Sequence, residues 1–174
     1  TLRDALIDRG LVASSIKRNF EVVRAVFNVA ANERGLDITN PFSQVIFTAA
    51  PKGHKRLPIP LGDILKVQRL CYEKDDDIRW LIALLSDTGM RLAEGAGLAK
   101  EDVFINAEIP FVRICERPWR PLKTTSSERE VPLVGAALWA AQRAYEQSPD
   151  EFLFPRYCSH KACKADHASN ALNK

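Results

Sequence analysis

No uninterrupted apolar run among the 174 residues approaches the roughly 20 that a bilayer span needs. No basic-then-apolar leader opens the chain. Its first residue is Thr1 rather than Met, so we expect the natural N-terminus to lie upstream. Cysteine is sparse: Cys71, Cys115, Cys158 and Cys163 are too few and too scattered for a disulfide framework. That excludes a stapled secreted scaffold and points to a reducing cytoplasm. There is no internal repeat and no low-complexity tract. A strong excess of either charge is also missing, with 25 Lys and Arg against 22 Asp and Glu.

The distribution of charge says more than its sum. Residues 1–60 carry nine basic and five acidic side chains, a balance of +4; residues 61–174 carry sixteen and seventeen, a balance of −1. A small, positively charged leading segment suits a module that meets a polyanion. Apolar residues make up 46% of the chain and charged ones 27%, the mix of a globular protein.

Periodicity predicts a mostly helical α+β protein. A short helix near Leu2–Asp8 precedes a long one from about Ser15 to Arg34, in which Ile16, Phe20, Val23, Phe27 and Ala30 form one apolar stripe. Ser14 or Ser15 can cap its start and Gly35 can end it. Residues 51–60 hold three prolines and a glycine, which forbid a continuous helix. They divide a helical segment, 1–50, from a second region, 61–174, with 51–60 as a basic linker. In the second region helices are expected near Asp63–Tyr72, Asp77–Asp87 and Arg91–Gly97, then from Gly135 to Gln147, with a polar helix at Lys164–Lys174. Three short strands are expected near Val103–Ile105, Phe111–Cys115 and Glu130–Leu133, as a small antiparallel sheet. The helix at Asp77–Asp87 is apolar almost all round and belongs in a core.

Two stretches carry chemistry. The first runs Leu85-Ser86-Asp87-Thr88-Gly89-Met90-Arg91-Leu92-Ala93-Glu94, a buried helix broken at Thr-Gly and resumed at an arginine. The second is Lys123-Thr124-Thr125-Ser126-Ser127-Glu128-Arg129-Glu130-Val131-Pro132-Leu133. Together with Asn40-Pro41-Phe42 and the long helix before it, they make the chain resemble the tyrosine recombinases, or phage integrases. The resemblance covers most of the chain: the end of a helical core-binding domain, then the first part of the catalytic domain.

The resemblance implies that Arg91 grips the scissile phosphate, that Lys123 protonates the leaving 5′-oxygen, and that Glu94 supports Arg91. A forked guanidinium suits the charge that builds on phosphoryl oxygens, and a helix start adds a favourable dipole. It implies double-stranded DNA as partner, with phosphate contacts from Lys17, Arg18, Arg24, Lys52, Lys55, Arg56 and Arg129. It also implies an enzyme that oligomerises on DNA, here as a truncated, monomeric and inactive piece. The family's later His-x-x-Arg does not follow Lys123: His160 is followed three residues on by Cys163, and His167 by Asn170. Tyr145 and Tyr157 come too early to be the nucleophile.

Two other readings compete. The same residues could hold phosphates in a DNA-binding module without catalysis. A zinc-stabilised interaction domain could use Cys158, His160, Cys163 and His167, whose types suit zinc. Their spacing is cramped, however, and no metal or other cofactor is expected. Trp80, Trp119 and Trp139 are read as packing residues, and Lys17 and Arg24 as sharing a face opposite the apolar stripe.

Overall fold

The computed structural model describes residues 1–45 and 57–173. The chain divides into two compact units, Thr1–Pro58 and Ile59–Lys174.

The first unit holds α1 (Leu2–Asp8) and α2 (Ala13–Glu33). Helix α2 starts earlier than Ser14 and Ser15 suggested: Val12 is its N-cap and makes no side-chain cap bond, so both serines lie in the first turn. Gly35 ends it in a left-handed conformation (φ 62°), with the Leu36 amide turned back onto the Ala31 carbonyl at 2.9 Å. The inward stripe also differs. Ile16, Phe20 and Ala31 are buried, whereas Val23 and Ala30 are exposed. Arg24 falls on the stripe between Phe20 and Phe27, not opposite it. Its guanidinium donates to the Phe42 carbonyl at 3.0 and 3.2 Å. Asn40 closes the arrangement, with its amide on the Arg24 carbonyl (3.1 Å) and on Asn28 (2.6 Å) and its oxygen accepting from the Phe42 amide (2.8 Å). The Phe42 ring then meets Phe20 and Phe27.

The second unit is built on α4 (Asp77–Thr88). Asp76 caps its start by accepting from the Arg79 amide, and Gly89 ends it at φ 61°, where a side chain would be strained. Leu81, Ala83 and Leu84 of α4 are wholly buried. Helix α3 (Leu61–Lys74) packs on it from one side and α6 (Gly135–Gln147) from another. Helix α6 presents Ala136, Ala137, Ala140, Ala141 and Ala144, all buried, which lets its backbone approach α4 closely. Asp87 ties the three together. One carboxylate oxygen accepts from Gln68 of α3 (2.7 Å), and the other accepts from the Ala136 amide at the start of α6 (2.9 Å).

After the short α5 (Leu92–Ala96), β1 (Val103–Phe104), β2 (Phe111–Ile114) and β3 (Arg129–Pro132) form an antiparallel sheet in that order, with Val112 opposite both Val103 and Val131. Phe152, Leu153 and Phe154 are buried. A two-residue hairpin follows, β4 (Cys158–Ser159) and β5 (Ala162–Cys163), before α7 (Ala165–Leu172). This hairpin was not expected, because each of its strands is too short to show a period. Among the described residues no helix is long and apolar enough to cross a membrane.

Candidate functional site

Arg91 sits between α4 and α5 in extended conformation, as the residue from which α5 begins. With only five residues, α5 contributes little dipole, so side chains rather than the helix orient the guanidinium. Glu94, one turn on, is 4% exposed. It accepts from the Arg91 backbone amide (2.9 Å) and from Arg91 Nη1 (2.7 Å). Arg129, on the first position of β3, reaches the same carboxylate at 2.8 and 3.4 Å and also donates to the Ser127 carbonyl. Burial alone would raise the Glu94 pKa. The hydrogen bonds from Arg129, from the Arg91 amide and from the Arg91 guanidinium more than offset it and hold the carboxyl at about 2. One buried negative charge is thus shared by two arginines. Arg91 keeps 54% of its side chain exposed, so its charge stays available to an outside anion.

The second sequence motif comes to the same place. The connection between β2 and β3 spans residues 115–128 and folds back over α5 rather than projecting as a tight hairpin. Ser127, buried, has its hydroxyl 3.2 Å from Arg91 Nη1 and 2.9 Å from the Thr124 hydroxyl. Lys123 directly precedes Thr124, is exposed, and makes no hydrogen bond or ion pair with the described residues. Arg91 and the Lys123 segment are therefore joined through Ser127 and Thr124.

What anchors this connection was not legible in the sequence. At its tip Arg117-Pro118-Trp119-Arg120 makes a tight turn, with the Arg117 and Arg120 backbones bonded both ways. Trp119 donates to the Gly97 carbonyl (3.0 Å) and packs edge-on against Phe152. Arg120 is 1% exposed and donates to the carbonyls of Gly97 (3.1 Å) and Cys115 (2.9 Å), with Asp102 3.3 Å away. Asp102, fully buried, also accepts from Arg117 at 2.6 Å. Gly97 is required there, since a Cβ on it would lie 2.9 Å from both the Ala93 oxygen and Arg120 Cδ.

The other basic candidates have different surroundings. In the first unit, Lys17 and Arg18 are exposed, and Lys17 lies 4.0 Å from Glu21. Arg24, spent on Phe42, has a structural task. Lys52, Lys55 and Arg56 lie outside the described residues. Trp80 donates to Asp75 and Trp139 packs at a tilt against Tyr72, both as packing residues. The zinc reading finds no cluster. His160 pairs with Glu151, while His167 lines a separate cavity of about 510 Å³ with Arg79, Arg156 and Tyr157. No group of three or more candidate ligands occurs among the described residues.

No protein-family model matches the chain, and no curated protein matches it. Solved structures do. The Tn1549 transposon integrase in complex with a circular-intermediate DNA is similar over 92% of this chain and 56% of its own, with a TM-score of 0.68 and 18% identity. The same integrase in complex with transposon right-end DNA gives a TM-score of 0.67 at 19% identity, with the same coverage. A further circular-intermediate complex gives 0.60 at 21%, covering 84% of this chain and 49% of the integrase. The likeness is one of fold, and the chain spans about half the length of the integrase chains it matches.

Proposed function

We propose that this chain is part of a site-specific DNA recombinase of the tyrosine type, in which the second unit supplies the side chains that bind a backbone phosphate. The observation that carries the reading is the Arg91 guanidinium, fixed from behind by buried Glu94 and Ser127 yet open on its outer side. The shared fold with an integrase solved in complex with DNA supports it.

In this reaction a tyrosine oxygen attacks phosphorus, the 5′-oxygen departs, and a phosphotyrosine conserves the bond energy for rejoining. Negative charge grows on the non-bridging oxygens as the new bond forms. Arg91 is held before substrate arrives, so little reorganisation is needed when that charge appears; such preorganised donors are commonly worth about 3–4 kcal/mol. Lys123, on the segment tied to Arg91 through Thr124 and Ser127, is the proposed proton donor to the leaving oxygen. Glu94 orients Arg91 and does not touch substrate, while Arg129, on the same carboxylate and partly exposed, is proposed as a further phosphate contact. Lys17 and Arg18, with Lys52, Lys55 and Arg56, are proposed to follow the DNA backbone.

None of the three tyrosines suits the nucleophile's role. Tyr72 packs on Trp139, Tyr145 lies under Lys100, and Tyr157 is 2% exposed. We therefore propose that these 174 residues alone bind DNA without cleaving it. The test is duplex binding at 50 and 200 mM salt. Counterion release at each phosphate contact lowers affinity roughly threefold over that range, so the proposed contacts together should lower it by well over tenfold. An affinity flat with salt would overturn the DNA reading. A covalent protein–DNA adduct would overturn the proposed inactivity.

A further inference from the structure

The β4–β5 hairpin places two cysteines directly opposite one another, Cys158 and Cys163. Ladder geometry fixes what kind of pair they are. Next to them, the Lys164 amide donates to the Tyr157 carbonyl at 2.7 Å, which makes Tyr157 and Lys164 the hydrogen-bonded pair. Both cysteine amides turn away from each other: that of Cys158 goes to the Phe154 carbonyl and that of Cys163 to the Trp119 carbonyl. Cys158 and Cys163 are thus a non-hydrogen-bonded antiparallel pair. At such a pair the Cα atoms stand about 4.5 Å apart and the side chains share one face. That separation lies within the range a disulfide bridges without backbone movement, about 4.4–6.8 Å.

We propose that Cys158 and Cys163 are a reactive dithiol, a modification site for low-molecular-weight disulfides, which close it into a cross-strand disulfide. The two thiols have different tasks. Cys163 is half-buried and reachable, whereas Cys158 is 4% exposed, packed among Ala99, Phe152 and Trp119. The Cys158 thiol donates to Cys163, and the Arg120 guanidinium adds positive charge nearby; both push the Cys163 thiol down. The same hydrogen bond, together with burial, pushes the Cys158 thiol up. The Cys163 thiol also donates to the Ala93 carbonyl at 3.7 Å, and the Ser159 backbone bonds to the Cys158 sulfur.

Cys163, as thiolate, attacks one sulfur of the external disulfide and expels the other half as a thiolate. Cys158 then loses its proton to that base or to water, and its sulfur attacks the Cys163 sulfur of the mixed disulfide. The second external thiol leaves. Two protein thiols have been oxidised by two electrons, and one small disulfide has been reduced to two thiols.

The test uses reduced protein, oxidised glutathione, alkylation of remaining thiols and tryptic mapping by mass spectrometry. Lys161 lies between the two cysteines, so trypsin releases them on separate peptides and only a disulfide keeps them joined. The expected product is the joined pair, separated again by dithiothreitol, with Cys71 and Cys115 alkylated. In Cys158→Ser the reaction stops at a mixed disulfide on Cys163. In Cys163→Ser, Cys158 stays unmodified while the protein is folded, as circular dichroism checks. Two further outcomes overturn the proposal: both thiols of the folded wild type remaining reduced, or separate glutathione adducts on each that never join.

Discussion

Glu94 keeps its negative charge where burial would favour the neutral acid, because two arginines and a backbone amide surround it. Its pKa is lowered from 4.5 to about 2, so the stability it contributes is fully present above pH 4.5 and is lost as pH falls toward 2. The shift corresponds to at most about 3 kcal/mol. Glu94→Gln should therefore lower the denaturation midpoint at neutral pH, and the gap from wild type should close between pH 4.5 and 2. A gap independent of pH would mean that the carboxylate charge is not what stabilises this corner. Arg120 offers a second test. Arg120→Leu leaves Asp102 buried with one partner fewer and should cost about 3–5 kcal/mol in urea unfolding; a loss below about 1 kcal/mol would mean that Arg117 suffices. Arg91 and Glu94 were legible in the sequence because Thr-Gly-x-Arg-x-x-Glu fixes their spacing along the chain. Ser127 and Arg120 were not, since Arg91 lies 36 residues from Ser127 and Gly97 lies 23 residues from Arg120 in sequence. Arg24 misled, because a cation at an inward helical position reads as solvated until the Phe42 carbonyl is seen beneath it.

At the scale of elements, α4 is the frame. Its end at Gly89 and its apolar run were readable, while the Asp76 cap at its start emerges from the structure. Strands β2 and β3 were readable for a similar reason: alternation and flanking turns survive even in four residues, whereas two-residue β1 shows no period of its own. The connection that carries Lys123 folds back because Trp119 and Arg120 find the Gly97 carbonyl at the end of α5, a tertiary event with no local signature. Two substitutions probe this level. Asp87→Ala removes the cap on α6, whose own N-cap residue, Val134, makes no side-chain bond, and should destabilise by about 1–2 kcal/mol. Gly97→Ala drives a methyl into the Ala93 carbonyl and Arg120, and should cost about 1–3 kcal/mol. If thermal unfolding shows Gly97→Ala to be neutral, the connection is not packed on α5 as described.

At the scale of the whole molecule, the distribution of charge bears on the proposed function. The excess of positive charge sits in residues 1–60, while the second unit is nearly neutral and keeps Arg91 exposed above a neutralised base. A nearly neutral unit gains little from long-range attraction, so under the proposed function any grip on DNA has to come from specific contacts. Each such contact leaves its own mark on the salt dependence of binding. The most direct measurement is the slope of log affinity against log salt for duplex DNA, wild type beside Arg91→Ala. The slope should be shallower by about 1 in the variant, the loss of one phosphate contact. An unchanged slope, with the variant folded, would mean that Arg91 does not bind a phosphate.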